Sequence, residues 1–163
     1  LMREVLDGLQ YAHDSGVVHQ DLKPANILIE NRDGRALIAD FGIAKAKHAE
    51  YAAHGIVVGT PIYLSPEQAS ATNTDHRTDL YSIGVILFEL LAGKLPIRME
   101  NAKLTVVRKI KRPETFFTTK PSDCHPRITT SLETVILRAT HTNPAQRFRN
   151  ANAFSAALVE NWV

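Results

Sequence analysis

An α+β domain, mainly helical and carrying one small β-hairpin near its front, is the fold that the sequence predicts. Three observations carry that expectation. Leu1, Met2, Val5, Leu6, Leu9 and Ala12 recur at helical spacing. Residues 80–92 (Leu-Tyr-Ser-Ile-Gly-Val-Ile-Leu-Phe-Glu-Leu-Leu-Ala) are apolar almost all round, as a central buried helix is. Two strand-like runs, Asn26–Glu30 and Arg35–Ala39, flank Asn31-Arg32-Asp33-Gly34, a sequence suited to a hairpin turn.

The first helix is expected to end near His13, where Asp14-Ser15-Gly16 offers a glycine free to take positive φ. Val17 and Val18 read as a short extended piece before the hairpin. Residues 43–64 show no clean period and read as a long loop, which inside a compact domain is usually functional. Ser65-Pro66-Glu67-Gln68 combines an N-cap serine, proline at the first helical position and glutamine two residues on, so a helix starts there. Ala102–Lys111 reads as a weaker helix, and 112–129, rich in proline and threonine, as loop. Thr130-Ser131-Leu132-Glu133 has the form of a capping box for a helix reaching about Thr140. Asn150 caps a last helix to about Trp162.

The 163 residues suffice for one domain, and 44% hydrophobic with 22% charged residues exclude a disordered or collagen-like chain. A net charge of +2 is too small to advertise nucleic acid or a membrane surface as a partner. Cys124 has no second cysteine to pair with, which fits a reducing compartment. No apolar run approaches the roughly 18 residues of a membrane span, and no signal peptide precedes the first helix. A soluble cytoplasmic domain is therefore expected. The chain opens inside an amphipathic helix with no capping residue before it, so it reads as cut.

The chemistry concentrates at 19–42. His19-Gln20-Asp21-Leu22-Lys23-Pro24-Ala25-Asn26 puts a carboxylate, an ammonium and an amide on the loop entering the hairpin, and Asp40-Phe41-Gly42 puts a second carboxylate at its far end. A hairpin returns its ends close together, so Asn26 and Asp40 can converge on one hard cation such as Mg²⁺. Asp21 is then free to accept a proton from a hydroxyl nucleophile, and Lys23 to neutralise charge on a transferring phosphoryl group. His13, His48, His54, His76, His125 and His141 show no ligand spacing and read as surface or packing histidines.

These motifs resemble those of the protein kinase family. His19–Asn26 matches the catalytic loop except at Gln20, Asp40-Phe41-Gly42 matches the metal-binding motif, and Ser65-Pro66-Glu67 stands where the family has Ala-Pro-Glu. Asp79-Leu80-Tyr81-Ser82-Ile83-Gly84 looks like the start of the family's central helix, and Asn143–Phe148 like the motif before its last helix. The resemblance covers essentially all of 1–163 and implies a partial kinase domain, the large C-terminal lobe. By resemblance, Asp21 is the catalytic base, Lys23 contacts the γ-phosphate of ATP, and Asn26 and Asp40 hold Mg²⁺. Ala25 and Leu28 join the nucleotide site, Leu28 as the floor of the adenine site. His19 and Phe41 stack in the internal hydrophobic column, Asp79 braces the catalytic loop, and Glu67 pairs with Arg147 in a buried ion pair. Thr60 and Lys23 favour Ser/Thr hydroxyls of a protein as substrate, and the phrasing around Tyr63–Ala69 is similar to the bacterial branch. Gln20 replaces the usual arginine, and 43–59 contains no serine or threonine, so activation by a phosphate on that loop is not expected.

No two glycines are separated by a single residue, so the chain holds no Gly-x-Gly phosphate loop, and the small lobe's lysine and glutamate have no candidates. Three readings follow: a piece of an active Ser/Thr protein kinase that lacks its small lobe, a catalytically silent lobe used for binding or scaffolding, and a small-molecule phosphotransferase. The intact Asp21, Lys23, Asn26 and Asp40 favour the first over the second. The segment leading into Ser65–Gln68 disfavours the third.

Overall fold

The structure, a computed structural model, describes residues 1–41, 61–97 and 101–162. Helix α1 (Met2–Asp14) buries Val5, Leu6 and Leu9 on the stripe the sequence predicts, and Gly16 behind it takes φ 74°. The hairpin is shorter than expected: β1 (Ile27–Ile29) pairs antiparallel with β2 (Ala36–Ile38), with Leu28 opposite Leu37. Arg35 donates from Nη2 to Glu30 at 2.9 Å beneath the turn, and Gly34 takes the positive φ of 74° that the turn requires.

Helix α2 (Pro66–Ala69) begins with the predicted capping box, Ser65 and Gln68 satisfying each other's backbone N–H groups. Helix α3 (Arg77–Ala92) starts three residues earlier than the apolar run and is buried without a break from Thr78 to Phe88. It forms the axis of the fold, with α6 (Thr130–Ala139) packed along it and α7 (Ala151–Asn161) bridging α6 to α1. Helix α4 (Ala102–Lys111) leans on α2 instead.

Two expectations are corrected here. The region 112–129 is not all loop: a 3₁₀ turn occupies Pro113–Thr115, and a short helix, α5 (Pro121–Cys124), packs on α6. Helix α6 is capped one residue earlier than predicted, by Thr129, whose hydroxyl accepts from the Leu132 N–H at 3.2 Å. That shift puts leucine where the box requires a glutamate, and Glu133 turns away to bind the Ser122 amide at 2.9 Å and hydroxyl at 2.6 Å. Those two donors hold its carboxyl below the ordinary carboxylate range and anchor α5. The long loop expected at 43–64 lies outside the described residues as far as Thr60.

Gly84 of α3 lies tight against the C-terminal end of α6. A Cβ there would stand 2.7 Å from Thr140 Cγ2 and 2.8 Å from Ala139 Cβ. Gly84→Ala is therefore expected to destabilise the fold by about 1–3 kcal/mol through overpacking, despite alanine's better helix propensity. A urea midpoint equal to or above wild type would show that the helices move apart freely.

Candidate active site

The loop from His19 to Asn26 carries no regular strand or helix until the 3₁₀ turn Pro24–Asn26, so other elements must hold its shape. Asp79, fully buried in the first turn of α3, does most of this. Its Oδ2 accepts from the His19 N–H at 2.8 Å and its Oδ1 from the Gln20 N–H at 2.8 Å. The Asp79 brace implied by the resemblance is present. A buried carboxylate needs such donors, because unpaired it would bear a large desolvation cost.

A third donor to Asp79 comes from His13, in the last turn of α1, whose Nε2 donates to Oδ2 at 2.9 Å. His13 packs, as one of the two readings from sequence has it: its side chain is 4% exposed and ties α1 to Asp79 of α3. His76, beside it at 5.3 Å between ring centroids, contacts the Arg149 carbonyl through Nε2 at 2.8 Å.

Gln20 takes φ 68° and Asp40 φ 63°, in the left-handed region that side chains with a Cβ avoid. Such strain persists only where surrounding bonds over-determine it. For Gln20 they do: Asp79 holds its N–H, and Gln68 of α2 donates from Nε2 to its carbonyl at 2.7 Å. Sequence reasoning found Gln68 only as a capping residue; its second bond joins α2 to the catalytic-type loop. The Gln20 side chain meets the Thr74 hydroxyl at 3.4 Å.

Lys23 Nζ stands 2.7 Å from Asp21 Oδ2, both side chains partly open to solvent. Asn26, buried, donates from Nδ2 to the Asp21 carbonyl at 2.8 Å, which fixes the loop beneath the Asp21 carboxylate. The Ala39 N–H donates to the Asn26 carbonyl at 2.9 Å, so the hairpin sets exposed Asp40 directly beyond Asn26's backbone partner. His19 links both ends: Nε2 donates to the Ala39 carbonyl at 2.8 Å and Nδ1 accepts from the Asp21 N–H at 3.2 Å. One neutral tautomer, with the proton on Nε2, satisfies both bonds. The His19 and Phe41 rings lie 4.8 Å apart, the contact implied by the resemblance. Leu28 and Ala25 are exposed beside this cluster. Thr60 and Gly42 lie outside the described residues.

Glu67 and Arg147 form the expected buried pair, at 2.6 Å and 2.8 Å. A residue that the sequence did not reveal sits near it. Lys109, fully buried on α4, donates from Nζ to the Ile62 carbonyl at 2.7 Å and to the Leu64 carbonyl, and lies 3.8 Å over the Phe116 ring. It pins the segment that runs into α2. Burial pushes its pKa well below the ordinary lysine value. Lys109→Met keeps the stem but strands two carbonyls, and is expected to cost about 1–3 kcal/mol. An unchanged unfolding midpoint would mean that the ammonium holds nothing.

Chemically, the cluster joins a strained, doubly braced loop to a solvent-facing carboxylate, an adjacent ammonium and the side-chain oxygens of Asn26 and Asp40. The family profile described as "Protein kinase domain" matches residues 1–163. Serine/threonine-protein kinase Pkn1 of Myxococcus xanthus is 42% identical over 97% of the chain, and pkn3 of the same organism 40%. PknL of Mycobacterium tuberculosis is 37% identical. The chain spans only 23%, 30% and 39% of the lengths of these three relatives. The crystal structure of the Mycobacterium tuberculosis PknI kinase domain superposes with a TM-score of 0.70 at 28% identity, over 98% of this chain and 53% of that one. The chain belongs to the protein kinase domain family.

Proposed function

We propose that residues 1–163 form the large lobe of a serine/threonine protein kinase that transfers the γ-phosphoryl group of ATP to Ser or Thr hydroxyls of a protein. One observation carries this reading: Asp21 presents an open carboxylate on a loop whose neighbouring amides are fixed by buried Asp79, with the Lys23 ammonium 2.7 Å away. In that position Asp21 accepts the substrate hydroxyl's proton, and Lys23 balances the charge carried by the phosphoryl oxygens.

Asn26 and Asp40 suit Mg²⁺. Asn26 spends its NH₂ on the Asp21 carbonyl, which leaves its amide oxygen without a donor among the described residues, and Asp40 keeps an exposed carboxylate. Among the described residues no three His, Cys, Asp or Glu side chains gather into a metal cage. Few protein ligands, all oxygen, is the Mg²⁺ pattern in sites where phosphates complete the shell. When bound, the ion supplies charge neutralisation at the phosphates. Exposed Leu28 and Ala25 offer the apolar side of the nucleotide site. Among the described residues no helix is long and apolar enough to cross a membrane, and a lobe that consumes ATP works in the cytoplasm.

The test is phosphate transfer by the full-length protein to a basic protein substrate with ATP and Mg²⁺, followed by phosphoamino-acid analysis. Phosphoserine and phosphothreonine are expected, and negligible transfer is expected from residues 1–163 alone, which contain no Gly-x-Gly loop to position the phosphates. No transfer by the full-length protein would favour the scaffold reading. Gln20 offers no guanidinium to grip a loop phosphate, so phosphatase treatment is expected to leave activity in place. Loss of activity together with loss of a phosphate from 43–59 would contradict this.

A further inference from the structure

Between α3, α6 and α7 lies an open groove of about 600 Å³ whose lining includes Arg77, Arg138, Arg147 and Arg149. Glu160 is the acid among its lining residues. Arg147 is spent on Glu67, but the other three guanidiniums are not matched in this way. Arg77 Nε is buried and has no hydrogen-bond partner among the described residues, while the Asp75 carboxylate stands off at 3.9 Å. A buried donor left unmade is costly, and its presence points to an acceptor that belongs there. Arg138 lies 4.5 Å over the Phe148 ring, which is itself stacked on Phe154 at 4.8 Å. Stacking fixes the plane of this guanidinium and leaves its N–H edge available. Ala153, Ala156 and Ala157 of α7 line the same groove and keep it open.

We propose that this groove binds the dianion of a phosphate monoester. Arginine forks recognise phosphate bidentately, and a phosphoryl group has three terminal oxygens to share among three guanidiniums, where a carboxylate has two. The volume admits the phosphoryl group together with the residue that bears it. Neither the Asp21 cluster nor the kinase reading enters this inference, so each stands or falls alone.

The test uses the full chain without Mg²⁺ at fixed ionic strength, titrated by calorimetry with inorganic phosphate, with a phosphothreonine peptide, and with the same peptide carrying glutamate instead. Saturable binding of phosphate is expected, weakened at least tenfold in Arg138→Gln/Arg149→Gln and unchanged in Lys103→Ala, an exposed lysine outside the groove. Both arginines are exposed, so the double variant should keep the wild-type melting curve. Should that variant melt early, Arg149→Gln alone replaces it, with a several-fold loss expected. Tighter binding of the phosphopeptide than of inorganic phosphate identifies a polypeptide as the source, and equal binding a free phosphate. Equal binding of the glutamate peptide, binding that survives in the arginine variants, or no saturation at millimolar phosphate would each overturn the proposal.

Discussion

Asp21→Asn in the full-length protein is expected to lower turnover by about 10²–10⁴-fold, the usual contribution of a positioned general base. The substitution is close to isosteric, so the loss should be chemical and not structural. Asp21 is 47% exposed on its side chain, and its backbone carbonyl, not its carboxylate, receives the Asn26 bond that shapes the loop. The melting curve should therefore stay at the wild-type position, and KM for ATP should change little, since the amide still fills the same space. What disappears is an acceptor for the hydroxyl proton. Asp79→Asn provides the contrast. It keeps one acceptor oxygen but replaces the other with an NH₂ that faces an N–H group, His19 or Gln20. That variant should lose stability and turnover together. Turnover unchanged in Asp21→Asn would remove this residue from the proton transfer and return the lobe to the scaffold reading.

The loop and hairpin were legible in the sequence because their chemistry is local: a run of polar residues with fixed spacing, two short apolar strands and a turn with Gly34 at its end. The central helix was legible because apolar residues surround it on every side. Helix α4 shows where that logic stops. Its apolar residues Leu104, Val107 and Ile110 lie on the exposed side, at 59%, 41% and 44%, while Thr105 and Lys109 face inward. A hydrophobic pattern read from sequence would turn this helix the wrong way. The lysine can be buried only because two carbonyls and two aromatic faces await it, and those come from residues 7 to 47 positions away. His13 escaped for a similar reason. One histidine at a helix end gives no spacing signal, and its partner Asp79 lies 66 residues on. Glu133 was misassigned because a capping box depends on register, and Thr129 and Thr130 are equally good caps on paper.

Arg147→Ala is expected to destabilise the protein by about 3–5 kcal/mol, read from urea unfolding midpoints, while Arg149→Ala should move it by less than about 0.5 kcal/mol. The difference lies in what each guanidinium touches. Arg147 binds both Glu67 oxygens, at 2.6 Å and 2.8 Å, the His141 carbonyl at 2.7 Å and the Arg77 carbonyl at 3.0 Å. It is thereby a single tie between α2, the start of α3 and the turn before α7. Arg149 is exposed, and only its backbone carbonyl is engaged, by His76. Removing Arg147 leaves Glu67 buried without its partner, and that uncompensated charge, more than the lost attraction, dominates the cost. The two contributions are separable. In Glu67→Gln/Arg147→Met neither charge remains to be stranded, so the double variant should be more stable than Arg147→Ala by at least about 1 kcal/mol. A double variant as unstable as the single one would place the energy in packing and backbone hydrogen bonds. Equal midpoints for Arg147→Ala and Arg149→Ala would show that the pair contributes nothing to the fold.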